Sequence, residues 1–294
     1  MPAVIVVSTA GSLVGAGSHL VANDILHRAS GDRIGFGRWA LYGLPFAVAM
    51  SAATCWVVEH MFLDGDLRRR ELVLETDAPA RLTGPEWRTI AVTAAMIALW
   101  VTEGLHPFGI ALVALLGGFV LTTPKLGVMS WKKGIKSVKW NLILFVGAAL
   151  VLSGALVDTG AADWLIRRMI DFSGLSSAEA PIVVLAALLA MSLTAHLYFT
   201  SHTARVAALL PPLLVLARSL DLQAPAVAFI VTVGMDYCLT FPVSSKALLL
   251  FGGAEDAAWT PKDLLKLTAV LLPLYALLMV AFYYGYWRPL GLSL

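Results

Sequence analysis

Three groups of polar residues interrupt otherwise apolar stretches of this 294-residue chain, and they are the places where chemistry is to be sought. The first is Thr200-Ser201-His202-Thr203-Ala204-Arg205, set between two apolar runs and followed by Pro211-Pro212. Hydroxyls and free backbone N–H groups at a hairpin tip, with a helix starting near Ala204, form a ready site for a carboxylate or similar anion. The alternative is a polar turn outside the membrane. The second is Pro242-Val243-Ser244-Ser245-Lys246, preceded by Asp236 in an apolar stretch. A lysine at membrane depth costs about 2.5 to 3.5 kcal/mol on insertion scales, so it calls for an acidic partner, a cavity or an anionic ligand. Lys246 could equally snorkel to the interface. A direct pair with Asp236, ten residues earlier and about 15 Å away along a helix, requires that helix to be broken. The third is Gly11-Ser12-Leu13-Val14-Gly15-Ala16-Gly17-Ser18-His19. Its small residues either let helices pack closely or form a loop whose carbonyls and hydroxyls ligate a cation or a substrate.

Enzymatic chemistry finds no support. His196 and His202 are six residues apart with no HExxH pattern, and neither a GxSxG elbow nor a P-loop occurs. Cys55 and Cys238 lie in apolar runs without a CxxC and read as small buried hydrophobes, so no metal centre is expected. Glu103, close to His106, reads as a structural polar residue, and His27, His60 and His106 as interfacial ones.

The elements that must position these groups are set by composition. Hydrophobic residues make up 59% of the chain and charged residues 14%, against roughly 25% charged in a soluble domain. Lipid is the expected solvent. With 21 basic and 19 acidic residues, no global attraction to nucleic acid is expected. Runs long enough to cross about 30 Å of hydrocarbon fall at 38–62, 140–157 and 266–289, with a close pair at 89–105 and 107–123. The stretches 2–26 and 180–252 are apolar but interrupted. Backbone groups exposed by such breaks survive in a membrane only under cover of protein or beside a water-filled cavity, so the breaks point to a site.

Basic residues orient the chain. Arg68, Arg69, Arg70, Arg81 and Arg88 in 63–88, and Lys125, Lys132, Lys133, Lys136 and Lys139 in 124–139, place both segments in the cytoplasm. Residues 161–172 read as an amphipathic helix at the outer interface, and 180–220 as a re-entrant hairpin. Residues 224–252 read as a broken helix and 266–289 as the last span, closed by the interfacial belt Tyr283, Tyr284, Tyr286 and Trp287.

With these features in place, the chain resembles the divalent anion/sodium symporter family, carriers of dicarboxylates, citrate or sulfate. The resemblance rests on Ser201-His202-Thr203 as a hairpin tip, on the Pro242–Lys246 loop and on the Ser12–His19 loop. It extends to Phe36-Gly37-Arg38-Trp39 with Gly43-Leu44-Pro45, to Trp140 with Phe145-Val146-Gly147 and Thr159-Gly160, and to Tyr286-Trp287-Arg288-Pro289-Leu290-Gly291-Leu292. It implies an all-α, polytopic inverted-repeat transporter. Residues 1–62 would close the first repeat, 63–88 would be the linker, and 89–294 would be the second repeat. The family's first Ser-Asn-Thr hairpin and the helices before it would precede Met1, leaving the N-terminal part of the fold outside this sequence.

The implied function is secondary active transport of small anions, most readily di- or tricarboxylates, by alternating access as symporter or exchanger. The substrate would meet Ser201, His202, Thr203, Arg205, Ser244, Ser245, Lys246, Ser18 and His19, and a coupling ion would meet Ser12, Gly15, Thr200 and Ser201. No cofactor is implied beyond Na+ as coupling ion; a homodimer in the cell inner membrane or plasma membrane is. Asparagines expected in the family's motifs are replaced by His202 and His19, with Lys246 at or near a third. A fixed ammonium at Lys246 or a protonated His202 then supplies charge that sodium would otherwise supply, in favour of proton coupling or exchange. The rival reading is a truncated, non-transporting membrane subunit or sensor of the same fold.

Overall fold

The computed structural model describes residues 2–63, 82–138, 140, 143, 144, 147, 148, 151, 155, 159–161, 164, 181–199, 201–241, 245, 247, 248 and 259–294. Among them all regular structure is helical. Two compact units are distinguished, one of Met1–Ile34, Trp39–Asp64 and Leu144–Leu294, the other of Gly35–Arg38 and Gly65–Ile143.

The larger unit holds the interrupted segments. Helix α1 (Pro2–Ser8) tightens into a 3₁₀ turn at Thr9–Gly11, and the chain resumes as α2 (Gly17–Ser30), which ends on left-handed Gly31. Gly15 is required in the intervening turn because a Cβ there would meet the Thr9 carbonyl. Gly43 is required in α3 (Phe36–Phe62), where a Cβ would meet the Ala10 carbonyl. The backbone of α3 thus approaches the first break closely, and Trp39 Nε1 donates to the Ala10 oxygen at 3.1 Å, satisfying a group the break leaves over.

The smaller unit is a hairpin of α4 (Gly84–Val101) and α5 (Ile110–Thr122), followed by α6 (Trp131–Ser137). Thr83 and Glu86 form a capping box with Pro85 in the first turn, so the start of α4 is written in its sequence. Arg88 donates to the carbonyls of Lys125, Leu126 and Gly127 beyond α5, and Glu103 accepts from Phe36 N at 2.6 Å, which makes it the structural residue expected.

In the larger unit α7 (Pro181–Thr194) leads through a 3₁₀ turn at Ala195–Leu197 towards α8 (His202–Ser219), which runs on through Pro211 and Pro212. By their rise per residue the two helices are about 21 Å and 27 Å long, short of a hydrocarbon core. Helix α9 (Ala224–Asp236) is buried along its whole length from Ala226 to Asp236. An all-round apolar helix has no solvent face to offer, and this one packs on α2, α7 and α8. Its end corrects the sequence-based boundary: the helix stops at Asp236, not at Pro242–Lys246, and Tyr237 is already extended. Helix α10 (Pro261–Phe282) starts on a Thr260/Asp263 capping box and closes in a π-helical turn at Tyr283–Trp287. That turn aims Trp287 Nε1 at the Tyr42 carbonyl, 2.9 Å away, inside a ring cluster with Phe46, Phe229 and Phe282.

Helices Phe36–Phe62 and Pro261–Trp287 are long and apolar enough to cross a membrane. Cys238 is buried as expected, but Cys55 is exposed, beside exposed Trp56 on α3, because an apolar run need not turn every side chain to the core. Most of the expected span 140–157 and helix 161–172, and residues 64–81 of the expected linker, lie outside the described residues.

Gly43→Val should expel the α3 backbone from the first break and leave little monodisperse protein after size exclusion in detergent. Gly118→Val, at a position with open space around it, should leave the profile unchanged. Equal recoveries from the two would remove the close approach as a determinant of the fold.

Candidate functional site

Helix α9 terminates inside the protein, and a helix end leaves its last carbonyls without intrahelical partners. Here they are met by a cation. Arg205, in the first turn of α8 and fully buried, donates from Nη1 to the Met235 oxygen and at 3.4 Å to that of Tyr237; its Nη2 donates at 3.1 Å to the Phe199 oxygen, ahead of α8. Five donors in a rigid fork suit three carbonyls from two separate breaks as a lysine would not. The charge also opposes the negative end of the α9 dipole.

The last residue of α9 carries the opposite requirement. A carboxylate at a helix C-terminus is disfavoured by the dipole, and Asp236 is 1% exposed. Three groups offset this. Arg205 brackets it through the carbonyls on either side. His19 Nε2 lies 2.6 Å from Asp236 Oδ2, and His202 Nδ1 lies 3.9 Å from Asp236 Oδ1. His19 is itself fully buried, stacked on Trp39 with centroids 4.7 Å apart, and its Nδ1 donates to the Ser12 carbonyl at 2.8 Å. The side chain therefore closes the first break, on Ser12, and ties it to the second, at Asp236.

The start of α8 joins the same constellation. Ser201 caps α8, its Oγ accepting from Ala204 N, and His202 opens the helix with Nε2 3.1 Å from Cys238 Sγ. His196 donates from Nδ1 to the Leu193 carbonyl and places Nε2 2.6 Å from Thr240 Oγ1, so the turn after α7 is also fastened to the chain beyond α9.

The residues expected at the site divide as follows. Ser12 contributes its carbonyl to His19, and its Oγ accepts from Val14 N at 3.4 Å; Gly15 is exposed in the turn; Ser18 is buried, its Oγ without a hydrogen-bond partner among the described residues. Ser201 is exposed, His202 half-buried and Thr203 buried near Gly17. Arg205 is turned to backbone carbonyls. Ser245 is half-buried, its Oγ accepting from Ala247 N, while Thr200, Ser244 and Lys246 lie outside the described residues. The structure thus brings His19, His202 and Arg205 to Asp236, with the Ser12 carbonyl behind His19. Asp236 itself was visible in the sequence only as a possible partner for Lys246, and its pairing with His19, 217 residues away, leaves no trace in spacing. His196, Cys238 and Trp39 were likewise not expected there. No group of three metal-ligating side chains occurs among the described residues.

The first interrupted segment, the end of α9 and the start of α8 thus meet at a buried acid through two histidines and an arginine. In comparison with known proteins, residues 1–293 match the family described as the sodium:sulfate symporter transmembrane region, and the chain belongs to that family of membrane transporters. It is 28% identical over 283 residues to a membrane protein of Cupriavidus necator, covering 94% of this chain and 55% of that protein. It is 22% identical over 250 residues to the citrate/succinate antiporter of Escherichia coli K12, covering 82% and 50%, and 23% identical over 237 residues to the L-tartrate/succinate antiporter of the same strain, covering 78% and 46%. The chain thus spans about half the length of these relatives.

Arg205→Met removes the donors and the charge while keeping much of the volume. It should lower stability by about 3 kcal/mol, since it orphans buried carbonyls and leaves Asp236 less compensated. Arg205→Lys should recover only part of the loss, as an ammonium does not span all three carbonyls. Thermal unfolding followed by tryptophan fluorescence reads both, and wild-type stability in Arg205→Met would refute the capping role.

Proposed function

We propose that this chain forms part of a secondary active carrier for small anions, most readily di- or tricarboxylates, working by alternating access as a symporter or an exchanger. One observation carries the reading: two interrupted segments far apart in sequence, 12–16 and 237–241, are joined through His19 and Asp236 beside Ser201–Thr203 at the start of α8. Family membership supports it, as do relatives named as citrate/succinate and tartrate/succinate antiporters.

In this reading the anion is held at the α8 N-terminus, where the first-turn N–H groups and the hydroxyls of Ser201 and Thr203 donate to it. Ser18, His19, His202, Ser244, Ser245 and Lys246 complete the surround. Arg205 adds positive potential from behind the turn rather than a direct contact, because the side chain is fully buried and both its Nη groups are turned to backbone carbonyls. Residues 1–62 and 89–294 belong to two inverted repeats, 180–220 re-enters from the outer side, and the basic segments 63–88 and 124–139 face the cytoplasm. Two copies associate in the bacterial inner membrane.

Sodium, as a co-transported ion bound near Ser12, Gly15, Thr200 and Ser201, meets a competitor. Helix-end and unwound carbonyls are the usual sodium ligands in interrupted-helix carriers, and here those of Phe199, Met235 and Tyr237 already serve a guanidinium. A tethered cation at that point supports exchange or proton coupling over sodium symport.

Purified protein should be stabilised selectively within a series of malate, succinate, citrate, tartrate and sulfate. At a hundredfold excess over Kd the gain is about 2.7 kcal/mol, readable as a rise in Tm. Thr203→Val should weaken the stabilisation at least tenfold in anion concentration. No anion shifting Tm, in sodium or in potassium buffer, would argue for a non-transporting subunit.

A further inference from the structure

The protons at the His19–Asp236 contact can be counted. The Ser12 carbonyl only accepts, so His19 Nδ1, 2.8 Å from it, must carry a hydrogen. At 2.6 Å, Nε2 and Asp236 Oδ2 cannot face each other as two bare lone pairs; one further proton lies between them, on the ring or on the carboxyl. The pair in this geometry therefore holds one removable proton. Its loss sets lone pair against lone pair, and the contact that links α2 to α9 must open.

A route to that proton is also present. Asp236 Oδ1 and His202 Nδ1 have no hydrogen-bond partner among the described residues, and they approach to 3.9 Å. His202 is 24% exposed, whereas Asp236 is 1% and His19 0% exposed. His202 is thus the one member of the three that reaches the surface, and it connects there to the acid's free oxygen. Among the described residues, the other ionisable groups around Asp236 are Arg205 on α8, Tyr275 on α10, and Tyr237 and Cys238 on the following segment, with His196 after α7 facing Arg205 and His202. The 3₁₀ turn Thr9–Gly11 contributes none.

We infer that Asp236, clasped between buried His19 and surface-reaching His202, is a proton-binding site that latches the two interrupted segments together, and that its proton accompanies the anion. With the proton bound, Arg205 and the His19–Asp236 pair carry net charge +1. Without it they are neutral. An anion binding beside them favours the protonated form, and by linkage the proton favours anion binding to the same degree. The coupling half rests on the anion-carrier reading; the proton site itself does not.

Infrared difference spectroscopy on the full chain in lipid nanodiscs, titrated with acid and base, tests the site without any substrate. The expected result is a reversible titrating change, in the carboxyl and carboxylate bands if the proton is held on Asp236 or in the imidazole bands if it is held on His19, that is absent in Asp236→Asn. His202→Gln, which leaves the acid and its His19 contact in place, should slow the exchange at least tenfold by removing the route. No titrating band lost in Asp236→Asn overturns the site; if that variant does not fold, an unaltered exchange in His202→Gln overturns the route and with it the clasp. The coupling is read by pH change in weakly buffered solution on adding malate, succinate, citrate, tartrate or sulfate. Uptake of close to one proton per anion bound, lost in Asp236→Asn, supports it. Anion binding with no proton uptake overturns the coupling and leaves the carrier reading standing. A titrating Asp236 with no anion bound supports the site and overturns the carrier reading instead.

Discussion

A helix that stops inside a protein leaves carbonyls that neither water nor its own next turn can satisfy, and the arrangement around α9 follows from that constraint. The carbonyls at its end need donors, and Arg205 provides them with a buried positive charge. A buried cation in turn needs a compensating negative charge close by, and Asp236 stands on the same helix end. The acid needs its own partners, which come from opposite directions: His19 from the first interrupted segment and His202 from the start of α8. Each charge is thus present because of another. Removing any one leaves a cost that the apolar surroundings do not relieve.

This chain of requirements also joins elements that are separate in sequence. Trp39 supports both the first break, through the Ala10 carbonyl, and the His19 ring, through stacking. Tyr275 steadies α9 one turn before its end by donating to the Val233 carbonyl at 2.8 Å. His196 fastens the turn after α7 to Thr240. The aromatic packing is rigid, whereas the polar joints are few and rest on single protons and single side chains. Connections concentrated in so few bonds are each made or broken as a unit. That is the sense in which membership of a transporter family and the local chemistry agree.

Much of the helical framework was legible in the sequence because it depends on composition and on local signals. The run at 38–62 became α3 and the pair at 89–105 and 107–123 became α4 and α5, each bounded by Gly, Pro or a capping residue. The first break was legible because Gly11, Gly15 and Gly17 are a backbone statement. The second was misplaced by several residues: Pro242 and Lys246 drew attention, while the helix ends at Asp236, where Arg205 takes the Met235 and Tyr237 carbonyls, a tertiary contact. Asp236 also shows why the centre of the site escaped. A lone acid in an apolar helix announces that a partner exists but not which, and His19 stands 217 residues away. Arg205 was expected to face an anion; its engagement with three carbonyls depends on two turns meeting in space.

The most direct test of this account is a double-mutant cycle between His19 and Asp236, with unfolding free energies measured for the wild type, His19→Ala, Asp236→Ala and the double variant. A charge-assisted bond buried between two otherwise unlinked segments predicts a coupling energy of about 2 kcal/mol, the second substitution costing much less once the first is made. Losses that add to within about 0.5 kcal/mol would contradict it, showing that the two breaks are held together by apolar packing and that the buried pair is incidental.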